Sequence, residues 1–182
     1  MEIEQFSDEE KREIVRYGIE RSKVIILSFL VTLTLGYWMG IFFQSLIFCL
    51  SFYTLRRYAG GYHAETQGRC YIISLITVLI SFCYIKLAEC SMTVNIIVQV
   101  ICLAFIFTLA PVENRTRRLD AAEQKRYRKK TRINIVTIFC ICCFFYWKGY
   151  LDITVPVMTA YVVLAFLLIA GQIKIILQDR TL

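Results

Sequence analysis

The chain has 182 residues, 58% of them hydrophobic, with a mean hydropathy of +0.58 and a formal net charge of +7. A soluble domain carries far less apolar material, and several uncharged stretches approach the roughly 20 residues that cross a hydrocarbon core. An ordinary soluble enzyme is thereby excluded, and an all-α, polytopic membrane protein is predicted.

Residues 1–23 mix charges of both signs. Ser7-x-x-Glu10 reads as a capping box behind Phe6, and Ile14, Val15 and Ile19 form an apolar stripe. The expectation is an amphipathic helix lying on the cytoplasmic membrane surface. Val24–Leu55 is 32 residues without a charge, interrupted by Gly36-Tyr37-Trp38-Met39-Gly40. One helix of that length is too long for a bilayer and two are slightly short, so a hairpin of short spans, 24–36 and 40–55, is predicted. Leu55–Cys70 is a polar island. Cys70–Leu87 is the third predicted span and Val94–Ala110 the fourth, stopped by Pro111. Glu113–Arg132 is predicted as a loop with nine basic residues against three acidic ones. Ile133–Trp147 and Ile153–Leu177 complete six spans within one domain, since only 2 prolines and no Gly/Ser linker mark a boundary.

Nearly all Lys and Arg fall in the N-terminal segment, the 56–69 island, the 113–132 segment and the tail, whereas the intervening turns hold Lys86 and Lys148. By the positive-inside rule, both termini and both basic segments are expected on the cytoplasmic side of the membrane. The basic excess favours anionic lipid headgroups or an acidic partner, not nucleic acid. Eight cysteines fit no zinc spacing, most lie in apolar runs, and His63 is the single histidine. No metal or other cofactor is therefore expected.

His63 and Cys70 carry the candidate chemistry. An imidazole can take a thiol's proton and leave a nucleophilic thiolate, and cationic neighbours such as Arg57 and Arg69 favour that anion. Seven positions are two helical turns, about 10.5 Å between Cα atoms on a straight helix. A bend near Gly68 would bring the pair together, and Gly60-Gly61 permits positive φ upstream. Glu65, Glu113 and Asn114 are candidates to orient His63. The scarcity of ionisable residues inside the spans argues against an ion-coupled transporter. A non-catalytic peptide exporter is the alternative reading.

Arg56-Arg57-Tyr58-Ala59-Gly60-Gly61-Tyr62-His63-Ala64, followed by Cys70 at the head of an apolar span, resembles the signature of the AgrB family. Ala110-Pro111-Val112-Glu113-Asn114-Arg115 before a basic segment resembles that family's second marker, although Arg118-Leu119 stands where many relatives carry Pro-Leu. The resemblance implies a membrane-embedded cysteine endopeptidase of peptide quorum sensing. Its partner would be an AgrD-like precursor peptide with an acidic C-terminal tail. Cys70 would be the nucleophile and His63 the general base. The acyl-enzyme thioester would pass to a Cys or Ser of the precursor and close a thiolactone or lactone. The acidic tail would meet Arg56, Arg57, Arg69, Arg126, Lys129 and Lys130, with the Gly60 and Gly61 backbone near the reacting carbonyl. Small-residue positions on the spans leave room for a homodimer.

Overall fold

The structure, a computed structural model, describes residues 8–61, 67–87, 92–112 and 121–179. They form six helices: α1 (Asp8–Trp38), α2 (Phe42–Ala59), α3 (Gln67–Leu87), α4 (Met92–Leu109), α5 (Ala121–Trp147) and α6 (Leu151–Asp179). Among the described residues the only extended pairing is one isolated bridge, so the all-α expectation holds. Three stretches are long and apolar enough to cross a membrane: Gly68–Leu87, Glu123–Trp147 and Leu151–Leu177. Ser22–Trp38 and Val94–Leu109 are shorter apolar helices.

Helix boundaries differ from the sequence reading in three places. α1 runs unbroken through position 23, because no Gly or Pro stands between the charged and apolar halves there. The change at that point is one of composition and not of backbone. The segment expected as a loop to Arg132 is helical from Ala121. Ala, Glu, Gln, Lys and Arg are strong helix formers, and their charges can be solvated on a helix surface as well as in a loop. The polar island shortens in the same way, since Arg56–Ala59 completes α2 and Gln67–Cys70 opens α3.

Glycines make two of the joints. Gly40 turns α1 into α2 with φ +74. Gly36 lies in the last turn of α1, where a Cβ would overlap the Ser45 hydroxyl of α2. Without that atom the two helices approach closely, as small residues allow when lipid supplies no hydrophobic drive for association.

α6 is the central post, packed against α2, α3, α4 and α5, while α1 leans on α2 and α3. Its Ala160, Tyr161, Leu164 and Leu168 are fully buried. Polar side chains tie the helices to one another: Tyr161 Oη donates to Ile135 O of α5 at 2.6 Å, and Gln99 Nε2 of α4 donates to Met158 O at 3.1 Å.

The bundle has two distinct ends. At one, Lys86 Nζ donates to Met39 O (3.2 Å) and Gln44 Nε2 donates to Asp152 Oδ1 (2.9 Å). At the other, Asn134 Nδ2 of α5 donates to Thr54 O of α2 at 2.8 Å, and Arg132 lies over Phe107 of α4. Both α2 and α5 therefore pass from apolar to basic at one level. Arg56, Arg57 and the 125–132 cations share that end.

Candidate active site

The site is organised around the end of α2. Ala59 is wholly buried, and Gly60 N–H closes the last turn on Arg56 O at 3.2 Å. Gly60 then takes φ +75, ψ −143, which essentially only glycine adopts. This aims the chain at the segment after α4. Val112 N–H donates to Ala59 O at 3.0 Å, and Gly60 pairs with Val112 in a parallel bridge. The approach is so close that a Cβ on Gly60 would overlap the Val112 carbonyl oxygen. Ala110 and Val112 are buried beside it. Gly61, with φ +134, is buried against Leu167 of α6.

The two sequence markers, 52 positions apart when measured from Gly60 to Val112, are thus joined by their backbones. The joint fixes where the 62–66 segment begins. His63 lies outside the described residues, as do Glu65, Glu113 and Asn114, the candidates to orient it.

Cys70 is the fourth residue of α3 and is half-buried. Amide groups in a first helical turn have no intrahelical acceptor and favour an anion, by about 0.3–1 kcal/mol. Among the described cysteines it alone occupies a first turn. Cys49, Cys102 and Cys142 are buried within their helices, and Cys83, Cys140 and Cys143 lie on outward faces of apolar helices. Arg69 beside it is exposed. Among the described residues no group of three or more His, Cys, Asp or Glu could hold a metal ion.

The basic residues separate into two sets. Arg56 is half-buried over the Phe52 ring, its guanidinium carbon 5.6 Å from the centroid. Arg57 and Lys130 both lie over Tyr58, at 5.5 and 5.2 Å, and Tyr127 adds a tilted ring at 6.1 Å. Arg126 and Lys129 are exposed along α5. Tyr58, Tyr127, Val112 and Leu167 were not singled out from sequence. Tyr58 was visible inside the first motif and Val112 inside the second, but their partners were not.

These features define a class, a helical membrane protein whose basic end holds a glycine-turned segment leading to a cysteine. The family model for accessory gene regulator B matches residues 2–176. A Staphylococcus aureus accessory gene regulator protein B is 31% identical over 127 residues, covering 70% of this chain and 67% of that protein. An AgrB-like protein of Clostridium perfringens strain 13 is 28% identical over 142 residues, covering 72% of this chain and 65% of the relative. A second from strain SM101 is 27% identical with the same coverage. The match thus spans just under two thirds of the length of the Clostridium relatives. No solved structure matches. The chain belongs to the AgrB family.

Proposed function

We propose that this protein is a membrane-embedded cysteine endopeptidase of the agr quorum-sensing pathway. It cuts an AgrD-type precursor peptide and closes the released segment into a ring. In this reading the chain crosses the membrane six times, with both termini and the reacting groups at the cytoplasmic face; the charge asymmetry between the two ends of the bundle supports it.

In this mechanism His63 takes the proton from the Cys70 thiol. The thiolate adds to the carbonyl at the C-terminal end of the signal segment. The C–N bond breaks, His63 returns the proton to the leaving amine, and the acidic tail departs. This leaves the signal segment on Cys70 as a thioester. A thiol or hydroxyl within the precursor, deprotonated by His63, attacks that thioester and regenerates the Cys70 thiol. Exchange between thioesters is nearly isoenergetic, so ring closure depends mainly on holding the two groups together. The acidic tail is met by the exposed Arg126 and Lys129, with Arg69 at the mouth of α3. Gly60 and Gly61 serve this reaction as the support of the 62–66 segment.

The observation that carries the reading is the position of Cys70, accessible in the first turn of α3 at the basic end of the bundle. Cys70→Ala and His63→Ala are expected to abolish precursor cleavage while insertion into membranes persists. Cys49→Ala, Cys83→Ala and Cys140→Ala are expected to cleave normally. A precursor peptide with an electrophilic carbonyl should trap Cys70. Cleavage retained by Cys70→Ala, or trapping of another cysteine, rejects the mechanism.

A further inference from the structure

The joint between the end of α2 and the start of α5 holds Arg57 and Lys130, which the resemblance offered to the acidic tail but whose setting on a tyrosine ring points elsewhere. Tyr58 is half-buried, and two exposed cations from different helices converge on its ring. Among the described residues neither Arg57 nor Lys130 has a carboxylate partner. With Arg57 at 5.5 Å and Lys130 at 5.2 Å from one centroid, an anion beside the ring gains attraction from both charges. The same face of α5 carries Thr131, one turn beyond Tyr127, whose buried hydroxyl lacks a hydrogen-bond partner among the described residues. Among the described residues, the joint therefore presents two exposed cations on one half-buried ring with no carboxylate to meet them.

Its depth names the anion. The Asn134–Thr54 bond puts the polar boundary of both helices one turn from Tyr58. The uncharged part of α2, residues 42–55, is roughly 21 Å long at 1.5 Å per residue, short of a hydrocarbon core of about 30 Å. A bilayer adapts to such a short stretch by thinning, which lowers its headgroups toward the boundary. Tyrosine favours that level, and basic pockets between helices there take anionic headgroups. We propose that Arg57, Tyr58 and Lys130 bind the phosphate of an anionic phospholipid headgroup, with the lipid chains along the outer faces of α2 and α5.

The test uses the full chain in neutral detergent, with lipid retention read by native mass spectrometry. Phosphatidylglycerol is expected to be retained at least about fivefold more tightly than phosphatidylcholine, and Arg57→Gln or Lys130→Gln should each cost about fivefold, the contribution of one basic side chain near an anionic surface. Tyr58→Leu should weaken retention as well. Lys130→Arg, which keeps the charge, should restore it, separating lost binding from lost folding. Lys148 lies over Trp147 at the opposite end, with its Nζ 4.9 Å from the centroid. It is the matched control, and Lys148→Gln should retain the lipid like the parent. Equal retention of both lipids, or parental retention by Arg57→Gln and Lys130→Gln, overturns the proposal. Displacement of the lipid by millimolar inorganic phosphate assigns the pair to free phosphate and overturns the headgroup. Displacement by a short acidic peptide assigns it to peptide and also overturns the proposal. Cysteine reactivity plays no part in these measurements, so they stand or fall independently of the peptidase reading.

Discussion

Gly60→Ala isolates the contribution of the α2–Val112 joint to the proposed precursor cleavage. A non-glycine residue at φ +75, ψ −143 costs about 1–3 kcal/mol of backbone strain. Its Cβ would also overlap the Val112 carbonyl oxygen, and backbone gives way less readily than a flexible side chain. The strain is relieved most cheaply by parting the two segments. That loses the Val112 N–H to Ala59 O bond, worth about 0.5–1.5 kcal/mol. It also shifts the start of the segment that carries His63. Misplacing a reacting group by about 1 Å can cost on the order of 100-fold in rate. Gly40→Ala is the internal standard: its φ is +74, yet nothing lies within 4 Å of an added Cβ, and it sits at the opposite end of the bundle. Both variants should lose roughly 1 kcal/mol or more of stability, but only Gly60→Ala should lose about 100-fold in precursor cleavage. The assay is cleavage by reconstituted protein, with thermal unfolding followed in the same preparation. Val112→Pro, which removes the donor, should resemble Gly60→Ala, whereas Val112→Ile, which keeps it, should cleave normally. Unchanged cleavage by Gly60→Ala, or equal losses in Gly60→Ala and Gly40→Ala, would refute the reasoning.

Tyr161→Phe removes the donor to Ile135 O and leaves the packing in place; it should lower thermal stability by about 0.6–2 kcal/mol, the range for interhelical hydrogen bonds in membranes, with cleavage retained. Gly36→Ala should destabilise by about 1–3 kcal/mol through overpacking against Ser45, and Ser45→Gly in the same chain should recover much of the loss in a melting experiment. Arg126→Glu with Lys129→Glu should weaken precursor binding, and because both positions are exposed the difference from the parent should shrink as salt is raised. A salt-independent difference would move the acidic tail elsewhere.

Much of the helical framework was legible because apolar runs and glycines mark it directly. The turn at Gly40 and the end of α2 at Gly60 both fall where a residue free to adopt positive φ was available. The start of α5 was not legible, since a dense run of charges reads as loop although most of its residues favour helix. Cys70 stood out by its place beside a polar island and by its motif. The pairing of Gly60 with Val112 was beyond sequence reasoning. It rests on one close backbone approach between distant segments, and no hydrophobic period announces such a contact. The convergence of Arg57 and Lys130 on Tyr58 was hidden for the same reason, because helical register on α5 decides which of several adjacent cations faces α2.

The pairing also bears on how an acyl-enzyme could survive. Gly61 rests on Leu167, and the apolar stretch of α6 continues to Leu177, ten residues or roughly 15 Å further along the axis. The polar boundary at Thr54 and Asn134 puts Gly61 at headgroup level, and α6 runs on past it, so under the proposed reading the helices themselves, and not depth in the lipid, cover the start of the segment leading to His63. Irregular backbone so covered is tolerated only when protein or water satisfies it. Here Ala59, Gly61, Pro111 and Val112 are buried within the bundle, and the Ala59 carbonyl is met by Val112 N–H. Under the proposed mechanism, a carbonyl held against this buried backbone would be shielded from part of the bulk water, which would slow hydrolysis of a thioester relative to attack by a thiol tethered in the same peptide. Shortening α6 from its C-terminal end should therefore raise the yield of linear over cyclic product before it lowers total cleavage, because exclusion of water would fail before the nucleophile does.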